Sequence, residues 1–407
     1  MKYGLIGEKL GHSFSKDIHE RLGYDYELCE IPQGELESFI KRREFEGINV
    51  TIPYKREVIP YLDWIDEPAK EIGAVNTVVN RNGRLYGYNT DYYGLKELFC
   101  HADIDPEGKK VAVLGSGGTS RTACALLKAL GASEVILISR SGEVSYDDLY
   151  KKHSDTEIIV NTTPLGMFPD IFSCAVDVSK FPDLIGVIDV VYNPLNTRLV
   201  GEAKRLGIKA EAGLYMLVCQ AIFASELFLD TKYPSYMLDV IYDGIRSEKE
   251  NIVLVGMPSS GKSTVGRLLA GRIGCDFVDT DELITKRINM PIKDYFARHG
   301  EESFRDLESE VIRSIAGRSG LVIATGGGAV LREENVSALK FNGKIIFLDR
   351  PLYMLMATDS RPLSSDRMAL ENLFNRRYPI YESICDARVP SDGTPESVAD
   401  NILENYL

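Results

Sequence analysis

Gly256-Met-Pro-Ser-Ser-Gly-Lys-Ser-Thr264 stands between an apolar run with strand character, Ile252-Val-Leu-Val255, and a stretch with helical periodicity, Val265-Gly-Arg-Leu-Leu-Ala270. Strand, glycine loop and helix in that order make a phosphate loop of the form G-x-x-x-x-G-K-[ST]. In such a loop backbone N–H groups enclose phosphate oxygens, so Ser259, Ser260, Gly261 and Thr264 are candidate contacts for a nucleoside triphosphate. Lys262 reaches the transferred phosphoryl group, and Ser263 is placed to ligate Mg²⁺. The loop starts more than halfway along a chain of 407 residues, a length that implies two or three domains. The residues before it must therefore form a unit of their own.

Working back from the loop, the polar stretch Arg246-Ser-Glu-Lys-Glu-Asn251 reads as a short linker, 246–251, ahead of a phosphate-loop domain at 252–407. Further upstream, the buried-strand pattern Val111-Ala-Val-Leu114 feeds Gly115-Ser-Gly-Gly-Thr-Ser120, an Ala/Leu-rich helix and a second strand, Glu134-Val-Ile-Leu-Ile138. This is the βαβ spacing of a dinucleotide fold. Its turn offers Gly115, Ser116, Gly117, Gly118 and Thr119 to a pyrophosphate at the positive end of the helix. An NAD site would carry an acidic residue at the end of the second strand; here the chain reads Ser139-Arg140-Ser141, which suits a 2′-phosphate and favours NADP. Residues 1–100 alternate short apolar runs with helical stretches and include a hairpin-like segment, Asn76 to Tyr86, turning at Asn82-Gly83.

Composition narrows the class. Hydrophobic content of 44% and 26% charged residues are those of a soluble globular protein. A net charge of -13 speaks against nucleic acid or an anionic membrane as a partner of the whole surface. Seven scattered cysteines without a C-x-x-C pair suggest neither a disulfide framework nor a zinc site, so a reducing cytoplasm is expected. Neither an apolar signal core nor a membrane-length apolar run is found. Oligomeric state is not legible.

A set of further motifs in the first 245 residues resembles the shikimate dehydrogenases. It comprises Gly11-His-Ser13-Phe-Ser15, Asn49-Val-Thr-Ile-Pro-Tyr-Lys55, Gly73-Ala-Val-Asn-Thr77, Gly87-Tyr-Asn-Thr-Asp91 and the glycine turn. After these come Asn161-Thr-Thr-Pro-Leu-Gly-Met167, Asp189-Val-Val-Tyr192-Asn-Pro and Gly213-Leu-Tyr-Met-Leu-Val-Cys-Gln220. The resemblance implies reversible NADPH-dependent reduction of 3-dehydroshikimate to shikimate. Lys55 and Asp91 match the family's catalytic pair, and a lysine beside a carboxylate is suited to protonating the alkoxide that forms as a ketone is reduced. Ser13, Ser15, Thr51, Asn76, Asp91 and Gln220 match the family's shikimate contacts, as a polyhydroxylated acid leaving water needs replacement partners. Tyr192 and Gly213 match positions lining the substrate and nicotinamide region. Departures from the pattern are Lys16, Glu20 and the absence of a second basic residue in Gly142-Glu-Val144.

Beyond the phosphate loop, Phe277-Val-Asp279-Thr-Asp281, Phe304-Arg305-Asp-Leu-Glu308, Thr325-Gly-Gly-Gly328, Arg361-Pro-Leu363 and Arg377-Tyr-Pro-Ile-Tyr381 resemble shikimate kinases. By that resemblance Asp281 holds the acceptor hydroxyls, Asp279 supports Mg²⁺ through water, and Arg305 and Arg377 pair with the shikimate carboxylate. Gly327 and Gly328 admit the ring, and Arg361 neutralises the transferring phosphate of ATP with a lid. The segment before Arg361 is short and lacks further arginines, and Gly393 stands where an adenine-side Arg often falls.

The expected architecture is α/β throughout. An α/β substrate domain covers 1–102, with returning C-terminal helices at about 213–245, a Rossmann NADP domain covers 103–212, and the phosphate-loop domain holds a five-stranded parallel sheet. The expected function is a fusion of shikimate dehydrogenase and shikimate kinase acting on 3-dehydroshikimate and shikimate, with NADP(H), ATP and Mg²⁺. Rival readings are a quinate/shikimate dehydrogenase joined to the kinase, and a catalytically degenerate regulator that senses shikimate or quinate.

Overall fold

The computed structural model describes residues 1–10, 14–356 and 367–406. They form two units, Met1–Arg246 and Ser247–Leu407. Ser13 and Arg361 lie outside the described residues.

The first unit holds two sheets. Strands β1 (Tyr3–Gly7), β2 (Glu27–Glu30), β3 (Gly47–Val50), β4 (Trp64–Ile65), β5 (Thr77–Arg81) and β6 (Arg84–Tyr88) make a mixed sheet in the order β2-β1-β3-β5-β6-β4. β5 and β6 are an antiparallel hairpin whose Asn82 and Gly83 both have positive φ, 54° and 82°, as a two-residue turn with left-handed central residues requires. The second sheet is wholly parallel: β7 (Lys110–Leu114), β8 (Glu134–Ile138), β9 (Ile158–Asn161), β10 (Gly186–Asp189) and β11 (Lys209–Glu211), in the order β11-β10-β9-β7-β8. Its central strands are apolar and buried along nearly their whole length because helices cover both faces.

Two helices join the sheets into one body. Thr90–His101 packs against Leu214–Leu229, and Gly94 makes the approach possible, since a Cβ there would sit 2.7 Å from the Met216 carbonyl oxygen. A glycine inside a helix costs about 1 kcal/mol. Fully buried Leu95 and Leu98 on the same helix return about 1.5–3 kcal/mol each, so packing outweighs the glycine. The returning helices Leu214–Leu229 and Tyr236–Lys249 share a core with Ile18 and Leu22 of the N-terminal helix.

The second unit holds β12 (Asn251–Val255), β13 (Asp276–Asp279), β14 (Leu321–Ala324), β15 (Gly343–Asp349) and β16 (Ala387–Pro390), all parallel, in the order β13-β14-β12-β15-β16. The boundary between the two units falls inside the stretch 246–251 expected to link them; the helix Tyr236–Lys249 runs through most of it and Asn251 already opens β12, leaving Glu250 alone between elements. Its polar sequence is that of a solvated last helical turn: Ser247 and Glu248 are exposed while Ile245 just before them is buried.

Candidate active sites

In the first unit the turn after β3 carries Lys55. Tyr54 beside it is wholly buried and donates to the Ile31 carbonyl (2.7 Å), and the Lys55 carbonyl accepts from Val75 N (2.8 Å). These anchors aim the lysine side chain at Asp91 in the first turn of Thr90–His101, which Asn89 caps by accepting from Tyr92 N (3.2 Å). Lys55 Nζ donates to Asp91 Oδ2 at 2.5 Å. Both side chains are mostly buried, at 18% and 12% exposure, so the pair holds its geometry better than a surface ion pair.

Around this pair, Asn76 donates to Thr90 Oγ1 (3.0 Å), and the Gln220 amide oxygen lies 3.4 Å from the same hydroxyl. Asn76 and Gln220 are both buried. Ser15 is buried at the start of the helix Ser15–Arg21, and Thr51, half-buried, follows β3. The ring of Tyr192 packs on Phe14 (5.3 Å between centroids). Gly213 opens the helix Leu214–Leu229 in close packing: a Cβ there would meet the Val190 carbonyl oxygen at 2.2 Å.

The glycine turn leaves β7 at Gly115, whose φ of 113° is left-handed and whose Cβ would strike the Thr162 hydroxyl at 2.8 Å. Either feature alone selects glycine there. Gly117 caps the helix Gly118–Ala129 with open space before it, and a Cβ on Gly118 would come within 3.9 Å of Lys55 Cδ. The turn and the lysine thus share one face. Ser116 and Gly117 are exposed and Thr119 is half-buried. After β8, Ser139 is buried, while Arg140 and Ser141 are exposed; among the described residues Arg140 makes no ion pair. An open helix N-terminus beside an uncommitted guanidinium fits a dinucleotide carrying an extra phosphate.

The loops after β9 and β10 flank that face and are tied by Asp189. This fully buried carboxylate accepts from Asn161 Nδ2 (2.9 Å), Val191 N (3.1 Å) and Thr197 Oγ1 (2.7 Å). Burial pushes it up to about 7, against the pull of its three donors.

In the second unit the ends of β12, β13 and β14 surround a cavity of about 340 Å³. It is lined by Lys262, Ser263, Asp279, Asp281, Arg305 and Arg377 among others, and Ser259, Gly261, Thr264, Gly327 and Gly328 also border it. Lys262 donates to the Gly256 and Met257 carbonyls (2.9 Å each), curling over its own loop. Gly256 and Gly261 have φ of 146° and 96°, leaving the loop backbone free to wrap around an anion. Ser260 is buried beneath the loop, where its carbonyl accepts from Ser391 Oγ (2.9 Å). Ser263 Oγ donates to Asp279 Oδ2 (2.6 Å), and Asp279 also caps the helix Thr280–Ile288 by accepting from Asp281 N (2.9 Å). A hydroxyl and a carboxylate side by side, next to a phosphate loop, are the oxygen donor set that Mg²⁺ takes.

The far wall is cationic. Arg305 and Arg377 are buried at 6% and 3% exposure. Among the described residues Arg305 Nε and Arg377 Nε and Nη2 have no hydrogen-bond partner. Burial lowers the pKa of Arg377 from its ordinary value, and three buried guanidinium nitrogens without partners among the described residues fit an anionic ligand. Gly328 is required there, as a Cβ would fall 2.3 Å from Arg305 Nη1.

Glu308 lines the same cavity and received no role from the sequence. It is buried, bound to Arg305 Nη1 at 2.7 Å, and burial raises its pKa although Arg305 opposes the shift. The signal was its place three residues after Arg305, which puts both on one helix face. Phe296 and Phe304 supply apolar wall on either side of a break at Gly300 (φ 81°, ψ 175°) in the helix Ile292–Ile315.

A model of the shikimate dehydrogenase substrate binding domain matches residues 5–78, and a model of shikimate kinase matches residues 258–407. The shikimate dehydrogenase (NADP(+)) of Clostridium perfringens is 38% identical over 266 residues, which cover 60% of this chain and 98% of that protein. The crystal structure of shikimate dehydrogenase 1 from Peptoclostridium difficile is 38% identical with a TM-score of 0.56, covering 60% of this chain and 98% of that one. A chorismate mutase/shikimate 5-dehydrogenase fusion protein from Clostridium acetobutylicum is 36% identical with a TM-score of 0.57, covering 60% and 96%. The Thermus thermophilus shikimate 5-dehydrogenase, solved with NADP(H) and shikimate, is 30% identical with a TM-score of 0.54, covering 60% and 99%. With its first unit the chain belongs to the shikimate dehydrogenase family, and in its second it carries a shikimate kinase domain.

Proposed function

We propose that Lys55, Asp91, Lys262 and Asp281 carry two consecutive reactions of a bifunctional shikimate-pathway enzyme: reduction of 3-dehydroshikimate to shikimate and 3-phosphorylation of shikimate. The observation that carries the first half is the Lys55–Asp91 pair, 2.5 Å apart and beside the glycine turn. NADP(H), held by the turn at Gly115 to Thr119 with Ser139, Arg140 and Ser141, supplies the hydride. Lys55 delivers the proton to the oxygen of the reduced ketone, and its ammonium offsets the negative charge building there. Asp91 orients Lys55 and accepts from a substrate hydroxyl. Asn76, Gln220, Ser13, Ser15 and Thr51 replace the water around the remaining oxygens, and Tyr192 and Gly213 close the nicotinamide side.

In the kinase, ATP with Mg²⁺ supplies the phosphoryl group. Lys262, released from its loop carbonyls, pairs with phosphate, while Ser263 and water-linked Asp279 hold the metal. Arg305 and Arg377 take the carboxylate, Gly327 and Gly328 border the ring, and Asp281 orients the hydroxyl that attacks. Arg361 is assigned to the transferring phosphate by the family resemblance. Retention of both constellations speaks against a degenerate sensor. Seven free cysteines agree with a cytoplasmic setting, and among the described residues no helix is long and apolar enough to cross a membrane.

The test is a paired assay on one preparation: NADP⁺ reduction with shikimate, then ADP formation with shikimate and ATP. Both activities are expected, and absence of either one removes the corresponding half of the proposal.

A further inference from the structure

The orientation of the side-chain amides beside Lys55 can be worked out from three backbone groups that have only one role. The Leu217 carbonyl only accepts, so Gln220 turns its Nε2 to it (2.9 Å) and its Oε1 to the Thr90 hydroxyl (3.4 Å). Thr90 N only donates, so Asn76 turns its Oδ1 to it (2.6 Å) and its Nδ2 to Thr90 Oγ1 (3.0 Å). The Asn76 carbonyl only accepts, so Asn49 turns its Nδ2 towards it (3.4 Å) and towards Thr77 Oγ1 (3.0 Å). The Asn49 Oδ1 is then left for the Tyr26 hydroxyl, which must donate (2.7 Å).

The two threonine hydroxyls complete the network. Thr77, accepting from Asn49, donates to Asn76 Oδ1 (3.1 Å) or Thr90 Oγ1 (3.0 Å), and Thr90 donates to Asn76 Oδ1 (3.2 Å), Gln220 Oε1 (3.4 Å) or Thr77. The result is one connected network: Tyr26 donates to Asn49, Asn49 to Thr77, Thr77 to Asn76 or Thr90, Asn76 to Thr90, and Gln220 to the Leu217 carbonyl. Every member is at most 8% exposed. Asn49 and Thr77 meet because they are cross-strand partners of β3 and β5, and His19 stacks on the head of the chain at Tyr26 (3.9 Å). Buried chains of this kind polarise each member in turn and penalise any reversal.

We propose that Tyr26, Asn49 and Thr77 are positioning residues of the dehydrogenase, which present Asn76 to the substrate as a hydrogen-bond donor only. This rests on the reading of Asn76 as a substrate group. The Asn76 amide oxygen accepts from Thr90 N and from a threonine hydroxyl, so both its lone pairs are taken, and one N–H of its amide is left over. With Lys55 also a donor, Asp91 is the acceptor that takes a hydroxyl proton. The site therefore selects a ligand whose oxygens offer lone pairs to the Asn76 amide and an ammonium while one hydroxyl points at a carboxylate.

Steady-state kinetics of the full chain test this with Asn76→Ala, Thr77→Val, Thr77→Ser and the double variant Asn76→Ala/Thr77→Val. Thr77→Val is expected to raise the KM for shikimate about three- to tenfold, the scale of one hydrogen bond. The KM for NADP⁺ should stay unchanged, Thr77→Ser should restore the parent value, and Thr77→Val should add nothing on the Asn76→Ala background. An unchanged KM in Thr77→Val, or an equal penalty on both backgrounds, overturns the proposal. If Asn76→Ala itself leaves the shikimate KM unchanged, the assignment of Asn76 to the substrate fails, and the relay loses its role with it.

Discussion

Asp281 and Glu308 face each other across Gly326: a Cβ added to that glycine would lie 2.7 Å from Asp281 Oδ1 and 2.7 Å from Glu308 Oε1. Gly326 is thus the spacer between the carboxylate proposed to meet the acceptor and the one that holds Arg305. Gly326→Ala should push the two apart at an overpacking cost of about 1–3 kcal/mol. Felt in full at the active site, that cost corresponds to about a five- to 160-fold loss in kcat/KM of the kinase with shikimate, with dehydrogenase turnover unchanged. A variant with parental kinase kinetics would show that the spacing is not needed.

The two lysines should separate the activities. Lys55→Ala is expected to lower dehydrogenase kcat by about 10²- to 10⁴-fold while ADP formation with shikimate continues, and Lys262→Ala should do the reverse. Loss of both activities from either change would contradict independent sites.

Arg377 should act on binding rather than on nucleotide handling. Each charge-assisted hydrogen bond it makes is worth about 1.5–3 kcal/mol, so Arg377→Ala should raise the kinase KM for shikimate at least about tenfold. The KM for ATP is expected to move less than twofold. A larger effect on ATP than on shikimate would move Arg377 out of the carboxylate site.

His19 and Asp189 pull the stability of the first unit in opposite directions with pH. Burial holds His19 at about 3, down from 6.5, so its contribution is complete above pH 6.5 and is lost as pH falls towards 3. Burial holds Asp189 at about 7, up from 3.8, so its contribution is complete below pH 3.8 and is lost as pH rises through 7. Between pH 3.8 and 6.5 the two slopes cancel in the parent. Asp189→Asn should therefore lose stability on acidification relative to the parent, at up to about 1.4 kcal/mol per pH unit, and His19→Gln should gain it. The single tryptophan, Trp64, lies in the first unit and reports its urea unfolding alone. Curves for the variants that run parallel to the parent's would refute the assignment.

The sequence by itself determined the parts of this protein whose physics is local. Apolar runs with glycine turns at their ends announced β7 and β12 and the helices behind them, because a phosphate-binding turn needs left-handed backbone that glycine supplies. Lys55, Asp91, Lys262, Asp281, Arg305 and Arg377 were all legible within motifs. The Lys55–Asp91 pairing came with the family resemblance, but Glu308 as the partner of Arg305 did not, because partnership depends on distance in space. Only the tertiary structure brings Asp91 to 2.5 Å from Lys55 across 36 residues, gives Glu308 to Arg305, and shows polar residues 246–249 to be the end of a helix. It also decides which atom of each buried amide the backbone holds. Asn76 reads the same in any register, and its polarity comes from Thr90 N and Thr77 once sheet and helix have closed around them.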